Sequence, residues 1–162
     1  MEKPPEMVDK VRYPACASAL VVGMLLCLTS CAGGGYYDDS FNSEDAVGVW
    51  VSRDTPSVVT LTLTDDGEYD ATGWPATLKC SNQTTEQTRD SESLWREAVD
   101  YSGEWDLSFK GVRFESSAPE CPSNWRADAW IVADGSTNLR INLAPQNIDE
   151  ATDDQFIYFV KE

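Results

Sequence analysis

Alternation of apolar and polar residues from Val47 onward limits the fold more than any other feature of this chain. In the run Val58–Thr64, the apolar residues Val59, Leu61 and Leu63 fall on one face and the threonines on the other. A period of two is the repeat of a β-strand, whereas an amphipathic helix repeats every 3.6 residues. The sequence therefore predicts an all-β domain.

Turn residues between the alternating runs predict β-hairpins. Asp65-Asp66-Gly67 follows the first run, and Asp-Gly between two alternating runs is a strong hairpin signal. In the next predicted hairpin, Trp105 and Phe109 are expected to face inward together with Leu107. The predicted strand pairs are 58–64 with 68–72, 103–109 with 112–115, and 125–133 with 138–143.

Two further strands, Val47–Arg53 and Phe156–Lys161, bring the predicted total to eight. Eight strands with mostly tight connections are typical of an up-and-down antiparallel barrel, although the same pattern also fits a β-sandwich. In a barrel, these two end strands pair with each other. The polar segment 75–100 interrupts the pattern, and Asp90–Val99 can supply a short helix that places Leu94 and Trp95 over one barrel mouth.

Composition excludes several classes of function. The chain carries 12 Lys and Arg against 28 Asp and Glu, a formal net charge of −16, so phosphate-rich partners such as nucleic acids would be repelled. It has no His, which removes Ser-His-Asp and Cys-His nucleophiles and His-ligated zinc. The acidic groups at 65–68 and 149–154 fit turn chemistry and a solvated loop better than a calcium site. We therefore expect no enzyme activity, no cofactor and no metal.

The N-terminus has the pattern of an export signal. Lys3, Lys10 and Arg12 precede an apolar run from Ala15 to Leu28, which is shorter than the roughly 20 residues of a membrane-spanning helix. The sequence 28–31, Leu-Thr-Ser-Cys, resembles the lipobox of bacterial lipoproteins. The resemblance implies acylation of Cys31, palmitate included, cleavage before it, and anchoring at the extracytoplasmic face of the cell membrane. An ordinary signal peptide is the alternative. The predicted organisation is a signal peptide over 1–30, a lipidated Cys and flexible tether over 31–46, and a barrel over 47–162.

The ordered motifs GVW (48–50), LTLTDDGEYDATGWP (61–75), SGEWDL (102–107), NLRINL (138–143) and FIYFV (156–160) carry a wider resemblance. Together they resemble lipocalin-like barrels, and more closely the small, largely uncharacterised lipoproteins of high-GC Gram-positive (actinobacterial) bacteria. The resemblance implies the eight-stranded barrel fold, with a basic side chain of the last strand, here Lys161, packed across Trp50. It implies no activity.

Two cysteines remain in the predicted mature domain once the leader is removed and Cys31 is acylated. In an exported domain, Cys80 and Cys121 are expected to form a disulfide, and two free buried thiols are the alternative.

Aromatic residues supply the candidate binding groups. Those at inward positions predict an aromatic-lined cavity for a small apolar ligand, with a barrel filled by its own side chains as the alternative. Three more fall at strand ends or in loops, where they would form an interaction rim for an envelope protein or would cap the barrel. The first group is Trp50, Tyr69, Trp105, Phe109 and Phe114, and the second is Trp74, Trp95 and Trp125.

Overall fold

Antiparallel β-strands make up most of the structure, a computed structural model that describes residues 35–79, 88–117, 124–144 and 151–162. The strands are β1 Tyr36–Tyr37, β2 Gly48–Arg53, β3 Thr60–Leu63, β4 Glu68–Pro75, β5 Ala98–Ser108, β6 Gly111–Ser116, β7 Asn124–Ile131, β8 Thr137–Asn142 and β9 Phe156–Lys161. The short helices are α1 Ser43–Ala46, α2 Ala76–Lys79, α3 Glu92–Trp95 and a 3₁₀ turn at Asp153–Gln155. The predictions for Cys31, Cys80 and Cys121 concern positions outside the described residues.

Strands β2 to β9 close into an eight-stranded barrel. Each strand pairs antiparallel with the next along the chain, and β9 returns to pair with β2 through the register Trp50↔Lys161 and Val51↔Val160. This pairing joins the first and last strands of the barrel, so the predicted up-and-down barrel is confirmed and the sandwich is wrong. Because the barrel is closed, β2 and β9 have no unpaired edge with which another chain could pair.

The two ends of the barrel differ in their connections. Short turns at 64–67, 109–110 and 132–136 lie at the end where β2 begins, which we call the turn end. The opposite end, the loop end, receives the longer connections 54–59, 76–97, 117–123 and 143–155. The predicted short helix is present there as α3, and its Leu94 is fully buried in the core. Its neighbour Trp95 packs partly buried against the same core.

Phe109 does not face the barrel interior, contrary to the sequence prediction. The β5–β6 hairpin turns at Phe109 and Lys110, so Phe109 lies past the last ladder pair, Ser108↔Gly111. Its side chain is 76% exposed, and Leu107, which keeps the inward phase at the end of β5, is 44% exposed. The apolar–polar alternation in the sequence runs on to Phe109, whereas strand β5 ends at Ser108.

Trp74 and Trp125 lie in the core rather than on a rim. A register shift between Ala71 and Trp74 in the β4–β5 ladder inserts an extra residue, and Gly73 there adopts a φ of 70°. The shift reverses the phase of the strand, so that Trp74 points inward like Tyr69 and Ala71. Trp125 is an ordinary inward residue of β7, opposite Phe114.

Residues 36–46, predicted as part of a flexible tether, pack against the barrel. β1 pairs with the end of β7 beyond the point where β6 begins, in the register Tyr36↔Ile131 and Tyr37↔Trp130. The Asp38 carboxylate accepts hydrogen bonds from Ser40 and from the Thr137 hydroxyl, and these bonds lower its pKa. Ala46 at the end of α1 is fully buried. The residues of this segment that contact the barrel follow no apolar period, so the sequence pattern did not predict the contact.

A cation–π cluster on the outer wall lies beneath β1. The Arg140 guanidinium is 3.3 Å from the centroid of the Trp130 ring and 4.5 Å from that of Phe156, and the Tyr37 ring packs edge-on against Trp130. Asp128, on the neighbouring strand, is within 3.8 Å of Arg140, and burial raises its pKa. These contacts hold β1 at a defined place on the barrel wall.

Candidate binding site inside the barrel

Five aromatic rings contact one another inside the barrel, from Tyr69 near the start of β4 to Trp74 near its loop end. Tyr69 contacts Phe114 edge-on at 5.1 Å between ring centroids and Tyr101 at 5.5 Å. Trp74 lies 5.8 Å from both Tyr101 and Trp125. Strands β4, β5, β6 and β7 each contribute to this group, which we call the ring cluster (Tyr69, Trp74, Tyr101, Phe114 and Trp125). Its members come together because the closed sheet turns every second residue of these strands toward one axis and the bulge in β4 adds Trp74.

The tryptophans nearer the turn end have protein partners for their indole N–H groups. Trp50 Nε1 donates to the Ala46 carbonyl oxygen at 2.7 Å, and Trp105 Nε1 donates to the Thr64 carbonyl oxygen at 3.0 Å. Lys161 extends across Trp50, with Nζ 5.6 Å from the ring centroid and 2.7 Å from the Asp45 carbonyl oxygen. Backbone from α1 and from the β3–β4 turn therefore closes this end around its aromatic residues.

Two indole N–H groups of the ring cluster lack partners. Trp74 Nε1 and Trp125 Nε1 are buried, and neither has a hydrogen-bond partner in the part of the chain that the structure describes. A buried donor without an acceptor costs about 1–3 kcal/mol, so native proteins supply a partner, an ordered water or a ligand. Trp50 and Trp105 have acceptors, so the indole N–H groups that lack them lie in the half of the barrel toward the loop end.

The ring cluster offers donors but no charge. Burial raises the pKa of Tyr69 above its ordinary value, so its hydroxyl stays protonated and can donate as well as accept. An ionised ligand among these rings would lose its hydration without gaining a counter-charge from them, which is strongly unfavourable. The arrangement therefore suits a neutral, largely apolar molecule that carries hydrogen-bond acceptors.

The predicted site residues divide between the two ends of the barrel. Tyr69 and Phe114 belong to the ring cluster, Trp50 and Trp105 belong to the closed turn end, and Phe109 is outside. Trp74 and Trp125, predicted as rim residues, join the cluster. Tyr101 was missed because the predicted strand began at Gly103, whereas β5 begins at Ala98. The alternation Tyr101, Gly103, Trp105 in the sequence could have identified it.

The outer wall of β4, β5 and β6 carries two shallow cavities. One of 230 Å³ is lined by outward carboxylates, among them Glu68, Asp70 and Glu104. The other, of 150 Å³, includes Arg113, which forms a bidentate pair with Asp106 and also contacts Glu115. Across the described ranges, no three His, Cys, Asp or Glu side chains are arranged to hold a metal ion.

Comparison with protein-family models, with curated protein sequences and with solved structures gives no match for this chain. Within the described residues, no helix has the length and apolar character needed to cross a membrane. The resemblance to lipocalin-like lipoproteins thus remains a prediction from sequence motifs, and the barrel is established on the strand pairing alone.

Proposed function

We propose that this protein is a lipid-anchored, extracytoplasmic binding module that holds a small neutral ligand in the ring cluster. The observation that carries the proposal is the pair of buried indole donors, Trp74 Nε1 and Trp125 Nε1, that find no acceptor among the described residues. Two acceptor atoms on one flat molecule would satisfy the indoles, while the faces of the neighbouring rings would bury its apolar surface.

The anchoring part of the proposal depends on the Leu-Thr-Ser-Cys motif at 28–31 and on the short apolar run before it. Acyl chains on Cys31 would hold the module at the membrane, because two or more chains give stable attachment where one is marginal. A bilayer-bound carrier would also meet apolar ligands at a higher local concentration than a freely diffusing one.

Native mass spectrometry of the full-length protein, purified from membranes, tests the ligand directly. We expect a mass excess that is released on collisional activation. Coumarin, a neutral lactone with two acceptor oxygens, serves as a probe in calorimetry. Replacing both Trp74→Phe and Trp125→Phe removes the two donors and keeps the rings, so coumarin binding should weaken by about fivefold for each lost hydrogen bond.

The matched control is Trp105→Phe, which removes an indole donor already bound to the Thr64 carbonyl oxygen. This variant should lose some stability but keep its affinity for coumarin. Equal loss of affinity in the control and in the double variant would contradict a site at the ring cluster. Absence of both a co-purified molecule and coumarin binding would contradict ligand binding altogether and would favour an envelope protein with a filled barrel.

A further inference from the structure

The exposed apolar residues at the turn end lie beside the point where the chain arrives from Cys31. Phe109 is 76% exposed and Leu107 44%, both on the β5–β6 hairpin, and Tyr36 at the start of β1 is 64% exposed. Lys110 Nζ lies 4.7 Å from the Tyr37 ring centroid and 5.1 Å from that of Phe109, which brings β1 and the hairpin tip together. We call this surface the hairpin patch (Tyr36, Leu107, Phe109 and Lys110).

The length of chain before the hairpin patch limits its distance from any anchor at Cys31. Tyr36 follows Cys31 by five residue steps, and a fully extended chain spans at most about 3.6 Å per step, so the reach is about 18 Å. β1 is paired to β7 and packed on the Arg140 cluster, so the remaining residues of the predicted tether add no further reach.

We propose that the hairpin patch rests on the surface of the bilayer that carries the acyl chains of Cys31. The inference relies on the proposed anchoring, and it adds an orientation to it: the turn end faces the membrane and the loop end, with the ring cluster, faces away. Aromatic side chains such as Phe109 and Tyr36 suit the interface between headgroups and hydrocarbon. Lys110 holds its ammonium group over the Tyr37 and Phe109 rings, so the cation contributes to the packing of the patch.

Charge limits which lipids suit this contact. Asp39 pairs with Lys110 at 3.2 Å, and Asp65 and Asp66 occupy the neighbouring β3–β4 turn at the same end. With a net charge of −16 on the chain, an anionic surface would repel this end of the barrel. The patch therefore fits a zwitterionic surface through aromatic contact and short tethering rather than through electrostatic attraction.

Brominated phosphatidylcholine vesicles test the orientation with the full-length lipoprotein. Bromine quenches tryptophan only at close range. After subtraction of the signal from the six tryptophans of the unsubstituted protein, a reporter made by Phe109→Trp should lose several-fold more fluorescence than one made by Val58→Trp. Val58 is the matched control because it is 65% exposed and lies in the β2–β3 connection at the loop end. Both sites are solvent-exposed, and a second reporter, Leu107→Trp, should behave like Phe109→Trp.

A flexible insert of about 20 Gly and Ser residues between Gly34 and Gly35 would add a root-mean-square reach of about 25 Å. It should reduce quenching at position 109 while the protein still floats with the vesicles. Equal quenching at positions 109 and 58 in protein that floats would overturn the orientation. Failure to float, with the same result for Cys31→Ser, would instead locate the error in the proposed anchoring, and contact with the bilayer would then be excluded as well.

Discussion

Trp50 is the residue at which the barrel closes. It lies on β2 opposite Lys161 of β9, its ring is buried, and its Nε1 donates to the Ala46 carbonyl oxygen. One side chain thus links the first strand of the barrel, the last strand and the segment that precedes the barrel. A smaller side chain would leave a cavity at the junction of all three.

We predict that Trp50→Ala lowers the free energy of unfolding by about 3–5 kcal/mol, the range for truncating a large buried aromatic residue. Urea unfolding followed by circular dichroism measures the change. Trp50→Phe is the control, because it keeps a ring and loses the hydrogen bond, and it should cost clearly less. A loss under about 1 kcal/mol for the alanine variant would mean that Trp50 does not hold the closure.

At the scale of the element, the bulge in β4 decides which side chains enter the ring cluster. Gly73 has a φ of 70°, and a Cβ atom at this position would lie 2.4 Å from the Val58 carbonyl oxygen. Only glycine fits both the left-handed backbone conformation and the close approach of the β2–β3 connection. The bulge in turn directs Trp74 toward Trp125.

Gly73→Ala is therefore expected to cost more than about 2 kcal/mol in the free energy of unfolding, since backbone strain and a clash with backbone add together. Gly135→Ala is a matched control: its φ is 85°, yet nothing lies within 4 Å of a Cβ atom there. This control should cost only the backbone strain, about 1–2 kcal/mol. Similar losses for the two variants, measured by thermal or urea unfolding, would argue against the close approach at Gly73.

For the whole molecule, closure of the sheet makes every strand depend on its two neighbours. β9 pairs with both β2 and β8, so its removal opens two edges at once and uncovers core residues such as Leu139 and Ile141. The core of the barrel therefore depends on strand pairings between segments that are distant in sequence.

Deleting 156–162 should therefore abolish cooperative unfolding and lead to aggregation. Calorimetry and size-exclusion chromatography of the full chain and the deletion variant measure this directly. Removal of Glu162 alone is the control; it loses one hydrogen bond to Val49 and should leave the transition in place. A cooperative transition in the longer deletion would show that seven strands suffice.

Much of the barrel could be predicted from sequence because its strands are defined locally. Alternation identified the strands that became β3 to β8, apolar runs identified β2 and β9, and the Asp-Gly sequences at 66–67 and 134–135 marked two of the turns. These signals arise from period-two geometry and from the backbone freedom of glycine, and both act within a few residues. The acidic composition and the export-signal pattern at 15–31 are likewise visible in the sequence alone.

The tertiary structure alone decided which of those residues act together. The sequence predicted Phe109 inside and Trp74 on a rim, and both positions were reversed by where a strand ends and by one bulge. The packing of β1 and the cluster around Arg140 had no periodic signal, because they depend on contacts between residues far apart in the chain. The indoles of Trp74 and Trp125, which have no acceptor among the described residues, could be seen only in the folded barrel, since whether a buried donor has an acceptor depends on atoms brought near it by folding.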